Sequence, residues 1–275
     1  MWKWIKQLDG ILRGDATRLP ALREGRIDMP VGGVVIVAIG LAVIYGLCMG
    51  GFAVIRAAWP EPGVTVEMAD AYKQMLASAV KLPLLFCLTL LVTFPSLYVF
   101  NALVGSRLST LSVARLLVAM IAVMMAVLAS LGPIVVFFSV STTSYPFMKL
   151  LNVAMATIAG ILGLAFLLRT LSRLAMVQDA IDFPPSESVT EGEDKAKADE
   201  QKTSSALDQI DSNTNQNASA VFKIWVLVFA LVGAQMSWVL RPFIGSPDLP
   251  FEWFRSREKN FFIDVIRSIG ELFGA

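Results

Sequence analysis

Long apolar runs broken by short charged ones are the first pattern along the chain. A membrane-spanning helix needs about 20 mostly apolar residues. Five stretches meet or approach that length: Val31 to about Ile55, about Leu82 to Val104, about Leu116 to Val140, about Leu150 to Leu168, and Ile224 to Leu240. Charged residues flank them, among them Lys81, Arg107, Lys149, Arg169, Lys223 and Arg241. Helical periodicity adds little inside such runs, because a lipid-facing helix can be apolar all round. The pattern predicts an all-α fold: a polytopic bundle of about five transmembrane helices, with amphipathic helices at both termini. Read this way, no charged group lies well inside a span. That counts against ion-coupled transport, voltage sensing and proton conduction.

Outside the runs the pattern changes. Residues 1–30 form a polar N-terminal segment, and 31–177 a four-helix block. Met1, Trp4, Ile5, Leu8, Ile11 and Leu12 share one helical face, so the first fifteen residues predict an interfacial helix or one packed on the protein's own loops. Residues 178–219 hold ten acidic residues and three lysines with few apolar ones. Such a stretch has too little to bury to offset its ordering entropy and reads as an acidic tether. Residues 220–241 carry the fifth helix. In the tail, 242–275, Phe251, Trp253 and Phe254 form an aromatic cluster. Phe262, Val265, Ile266, Ile269, Leu272 and Phe273 then recur at helical spacing, on a helix that lies on lipid or caps the bundle. Trp2, Trp4 and Trp253 are candidate interfacial anchors.

Lys and Arg concentrate before the first run, between the second and third, and after the fourth. This places the N-terminus in the cytoplasm. The first run begins too late and runs too long for a cleaved signal peptide.

Composition sharpens the class. The chain is 56% hydrophobic and 16% charged, too apolar for a single soluble core of 275 residues. It has no histidine and two cysteines. That excludes His-dependent triads and zinc sites, and four-thiolate metal centres. No phosphate loop, dinucleotide fingerprint or nucleophile elbow occurs. The expectation is no enzyme, no cofactor, no metal and no nucleic acid. The net charge of +1 joins an acidic tether of −7 to a basic body of about +8.

The remaining candidates are neutral. Gly46 and Gly50 form a small-xxx-small step that admits close helix approach, to another helix of this chain or to a second copy. Thr89, Thr93 and Ser96 share a face of the second helix, with Asn101 beyond them. Ser130, Asn152 and Gln235 are polar positions on the third, fourth and fifth. They line a polar cavity or bond between helices. Pro83, Pro95 and Pro133 each remove a backbone donor and predict kinks.

Three segments carry a resemblance: Leu8-Asp9-Gly10-Ile11-Leu12-Arg13-Gly14, Phe94-Pro95-Ser96-Leu97-Tyr98-Val99-Phe100-Asn101, and Trp238-Val239-Leu240-Arg241-Pro242-Phe243. With the five-span layout they resemble the Yip-domain family, in particular its uncharacterised bacterial members. The resemblance implies a membrane-organising or interaction protein with protein partners, set in a bacterial inner membrane. It supplies no site residue, and the long tether and the tail depart from the family's compact pattern. The competing expectation is a channel or facilitator for a small neutral solute, lined by Thr93, Ser96, Ser130 and Gln235. The partners expected are the lipid bilayer, one or more proteins, and a second copy of the chain.

Overall fold

A computed structural model describes residues 6, 8–10, 31–60, 67–103, 110–182, 224–246, 249–255 and 260–274. All regular structure among them is helical. The elements are α1 (Val31–Ala58), α2 (Met68–Leu103), α3 (Thr110–Ser141), α4 (Tyr145–Asp182), α5 (Ile224–Val239) and α6 (Phe261–Phe273). Four of these are long and apolar enough to cross a membrane, and α5 is a shorter apolar helix. The chain is a polytopic membrane helix bundle.

The helices overrun the apolar stretches that predict them. α2 begins at Met68 rather than near Leu82, because Met68–Val80 is itself rich in helix-forming Ala, Met, Leu, Lys and Gln. Its candidate span is therefore Met68–Ser96. α4 continues to Asp182, so residues 178–182 of the expected tether are helical; the rest of that tether lies outside the described residues. Pro83, Pro95 and Pro133 sit inside continuous helices. Of the N-terminal segment, Lys6 and Leu8–Gly10 are described and helical. Leu8 is buried in the core, which places this turn on the protein. Trp2 and Trp4 lie outside the described residues.

α1 is the central element. It packs on α2 and α3; α3 packs on α4, and α4 on α6. The core runs through Val34, Tyr45, Met49 and Phe52 of α1 to Met120 and Leu128 of α3, with Trp225 of α5 closing one side. The outward faces stay apolar: Ile36 and Ile44 on α1, Leu91 on α2, Phe137 on α3 and Ile161 on α4 are all exposed. Lipid, rather than water, suits such a surface.

Gly46 and Gly50 face α2. A Cβ at Gly46 would stand 2.7 Å from Ala79 Cα and 2.7 Å from Ser78 O; one at Gly50 would stand 2.7 Å from Met75 Cα. The two backbones touch where glycine allows it. On α3 and α4 the same device recurs: a Cβ at Gly163 would meet Met124 Cγ at 2.2 Å. The obstacle there is a flexible side chain, whereas at Gly46 it is main chain.

Gly46→Ala should therefore lower thermal stability in detergent by about 1–3 kcal/mol, since the clash is with backbone that cannot yield. Gly51→Ala, with nothing within 4 Å of its Cβ, should leave stability unchanged or raised by up to about 1 kcal/mol. Melting curves of the two purified variants beside the parent check both directions.

Candidate functional site

The most polar part of the buried interior is a stripe on α2. Asp70, Gln74, Ser78 and Lys81 follow at spacings of four, four and three, so they share one face. Gln74, Ser78 and Lys81 are 3%, 0% and 1% exposed. Against them lies the non-helical chain after α5. Gln74 Nε2 donates to Pro242 O at 3.1 Å and to Phe243 O at 3.2 Å. The Ser78 hydroxyl bonds Phe243 O and lies 2.8 Å from Gln74 O. Lys81 Nζ donates to Pro242 O at 3.0 Å and also to Trp253 O. At the outer end, Asp70 accepts from Phe251 N at 3.4 Å and pairs with Lys73 at 2.8 Å.

The Lys81 ammonium is further enclosed by aromatic faces. It lies 5.9 Å from the Trp253 ring centroid and 5.3 Å from that of Phe254. Nearby, the Arg241 guanidinium stacks 3.6 Å from the Trp238 ring. Cation–π contacts of this kind strengthen as water is excluded. Two glycines let the layers close: a Cβ at Gly245 would stand 2.8 Å from Ala53 Cβ and 2.9 Å from Gln74 Cγ, and one at Gly50 would stand 3.0 Å from Ser78 Oγ. Arg255 N donates to Arg241 O at 3.4 Å, drawing the two ends of the 241–255 segment together.

Lys81 sits deep. The contacts Gly46–Ala79 and Gly50–Met75 set α1 and α2 antiparallel, which puts Lys81 level with about Ile44. The charge-free stretch of α1 runs from 31 to 55. Wherever a 20-residue hydrocarbon window falls in it, the Lys81 backbone lies about 6 Å or more from either boundary, at about 1.5 Å per residue. The expectation that no charge lies inside a span is thus corrected. A helical lysine points back toward its helix N-terminus, so the ammonium reaches outward to the carbonyls of 242 and 253. α5, sixteen residues from Ile224 to Val239, is about 24 Å long and falls short of a 30 Å core. The 241–255 segment follows it and doubles back, its ends joined by the Arg255–Arg241 bond. Irregular backbone is tolerated at such depth only where protein groups satisfy it.

The other sequence candidates are dispersed. Thr89 and Thr93 are buried beneath α5, with Gly233 of α5 against Thr89. Their hydroxyls bond their own helix, Thr89 Oγ1 to Leu85 O at 2.7 Å and Thr93 Oγ1 to Thr89 O at 2.8 Å. Ser96 Oγ bonds Thr93 O at 2.7 Å. The interhelical bond comes instead from Trp225 Nε1 to Thr93 O at 3.2 Å. Ser130 is on the exposed face of α3 and bonds Val127 O. Asn152 is buried, accepting from the Tyr45 hydroxyl at 3.0 Å and donating to Met148 O at 2.9 Å. Gln235 is half-buried on α5, and Asn101 lies near the end of α2 with its side chain outside the description. An 80 Å³ groove between α1, α2 and α3 is lined by Ala38, Ala42, Pro83, Cys87, Leu90 and Met125 among others, and contains none of these polar residues.

Sequence reasoning passed over Gln74, Ser78 and Lys81 because they precede the apolar run. Their regular spacing was the signal that marks them as one face. Among the described residues no group of three or more His, Cys, Asp or Glu could hold a metal.

Fold and site together define a polytopic α-helical membrane protein whose buried polar groups bind its own C-terminal chain. Comparison with family models, with curated proteins and with solved structures finds no match.

Lys81→Met should release the segment. It removes a charge-assisted donor, worth about 1.5–3 kcal/mol, and leaves the Trp253 carbonyl without its donor, while Pro242 O keeps Gln74 Nε2. Hydrogen exchange at the Phe251 and Arg255 amides should quicken about tenfold or more, the factor for ~1.4 kcal/mol of local opening. Peptides from α3 should not change. Unaltered exchange at both amides would show that Lys81 does not hold the segment.

Proposed function

We propose that the chain is a non-enzymatic scaffold that anchors interaction surfaces in a membrane. The observation that carries this reading is how the buried polar groups are used. Gln74, Ser78, Lys81, Thr89, Thr93, Ser139, Asn152, Thr170 and Ser268 each donate to the chain itself. Donors committed to the fold in this way do not coordinate a passing solute. Three of them, Gln74, Ser78 and Lys81, fix the C-terminal segment to the bundle, which suits a platform rather than a gate.

In this reading the four long helices and α5 hold the protein in a bacterial inner membrane, N-terminus in the cytoplasm. The acidic tether then emerges on the cytoplasmic side, between α4 and α5. Its charge favours a partner with a basic surface, recruited electrostatically and sensitive to salt. The reading agrees with what the resemblance to Yip-domain proteins implies.

Cross-linking and affinity purification of the full chain should recover a partner that is lost when residues 183–219 are replaced by a neutral Gly/Ser linker of equal length. Recovery should also fall as salt rises. Liposomes holding the purified protein should pass small neutral solutes no faster than empty ones. Unchanged partner recovery from the linker variant, together with solute flux above the empty control, would favour a facilitator instead.

A further inference from the structure

α6 is turned the opposite way to an amphipathic helix in a water-soluble protein. It is a complete, well-capped helix: Asn260 Oδ1 accepts from Ile263 N at 3.0 Å, and Gly274 closes it at φ 75° with its N–H on Gly270 O. Its polar side faces the bundle. Asp264 pairs with Lys149 of α4 at 3.0 Å, and Ser268 is fully buried with its hydroxyl on Asp264 O. Its apolar side faces away. Phe262, Ile266, Ile269 and Phe273, at spacings of four, three and four, are 43%, 69%, 43% and 80% exposed, and Ile263 beside them is exposed too.

We infer that this stripe lies in the acyl-chain region of the lipid leaflet at the end of the bundle where α4 begins. Three observations choose lipid as the occupant. The first is level. Lys149 is on the second turn of α4, whose candidate span opens at Tyr145, so the Asp264–Lys149 pair holds α6 at the headgroup boundary. The second is the surroundings. α4, on which α6 packs, exposes Ile158, Ile161 and Leu162 further along, on the side away from Lys149, so the bundle surface near α6 is apolar and suits lipid. The third is the distribution of residue types. Trp253 and Phe254, both exposed, add aromatic rings suited to that boundary. Arg267 and Glu271 pair with each other at 2.8 Å on the face away from the stripe, where water is.

The charges of α6 are Asp264, Arg267 and Glu271, a net of −1. Acyl-chain contact, and not an anionic headgroup, therefore holds the helix down. Insertion should be indifferent to the anionic lipid content.

Depth-dependent quenching of the full chain in nanodiscs tests this. In a background of Cys48→Ala and Cys87→Ala, Ile266→Cys and Arg267→Cys carry a small environment-sensitive fluorophore. Doxyl-labelled acyl chains should quench the label at 266 several-fold more than at 267, and aqueous iodide should do the reverse. Phosphatidylcholine and phosphatidylcholine with phosphatidylglycerol should give the same result. Phe273→Cys, at the helix end, repeats the measurement should the 266 variant melt below its parent. Two results would overturn the inference. One is equal access of iodide to 266 and 267. The other is protection of 266 from both quenchers in a protein that elutes as a dimer, which would make a second copy the occupant. Partner recovery does not enter this readout, so the two proposals fail separately.

Discussion

A backbone carbonyl inside a bilayer has no water to bond, and the arrangement of the C-terminal part of this protein answers that constraint. α5 stops at Val239, short of a full crossing, and the chain continues without helical hydrogen bonds of its own. Three residues of α2 take the place of water. Gln74, Ser78 and Lys81 together satisfy the carbonyls of Pro242, Phe243 and Trp253. The ammonium in turn needs its own compensation, because an isolated charge at that depth is expensive. The two carbonyls and the rings of Trp253 and Phe254 provide it. Segment and stripe therefore stabilise each other, and neither is tolerable alone.

Small residues bring these partners within reach. α1 must lie against α2 closely enough for the stripe to be covered on one side, and Gly46 and Gly50 allow main chain to meet main chain. Gly245 does the same for the segment on the other side, fitting between Ala53 and Gln74. Away from this region, polar groups are handled more simply. The Thr and Ser hydroxyls of α2, α3 and α4 bond back to the preceding turn of their own helix, as hydroxyls in apolar surroundings commonly do. Among the described residues, the stripe is where the most polar groups knit separate elements together. Tyr45 and Asn152 make a lesser link between α1 and α4.

This arrangement bears on function. Beyond the stripe and the segment, α6 packs on α4 with the Lys149–Asp264 ion pair between them, its oily side outward. The bundle therefore holds α6 in a set position at the end where α4 begins. The acidic tether joins α4 to α5, whose first residues lie near the start of α1, as the pairing of Trp225 with Thr93 indicates. The start of α5 and the helix α6 therefore lie toward opposite ends of the bundle.

The sequence by itself determined the class. Apolar runs of spanning length, the absence of histidine and the acidic tether each follow from composition and spacing, because transfer into lipid depends on local residue content. Gly46 and Gly50 could be read as a place of close approach, since only a missing side chain permits it. The beginning of α2 could not be placed from hydropathy, because Gln74, Ser78 and Lys81 look like a polar flank until their partners are known. Their partners lie more than 150 residues away. Hydropathy likewise could not tell which side of α6 would face the protein: the stripe is apolar in either orientation, and Lys149 decides it. Only tertiary structure turned a flanking lysine into a buried one, because burial of a charge depends on donors and acceptors brought together from distant parts of the chain.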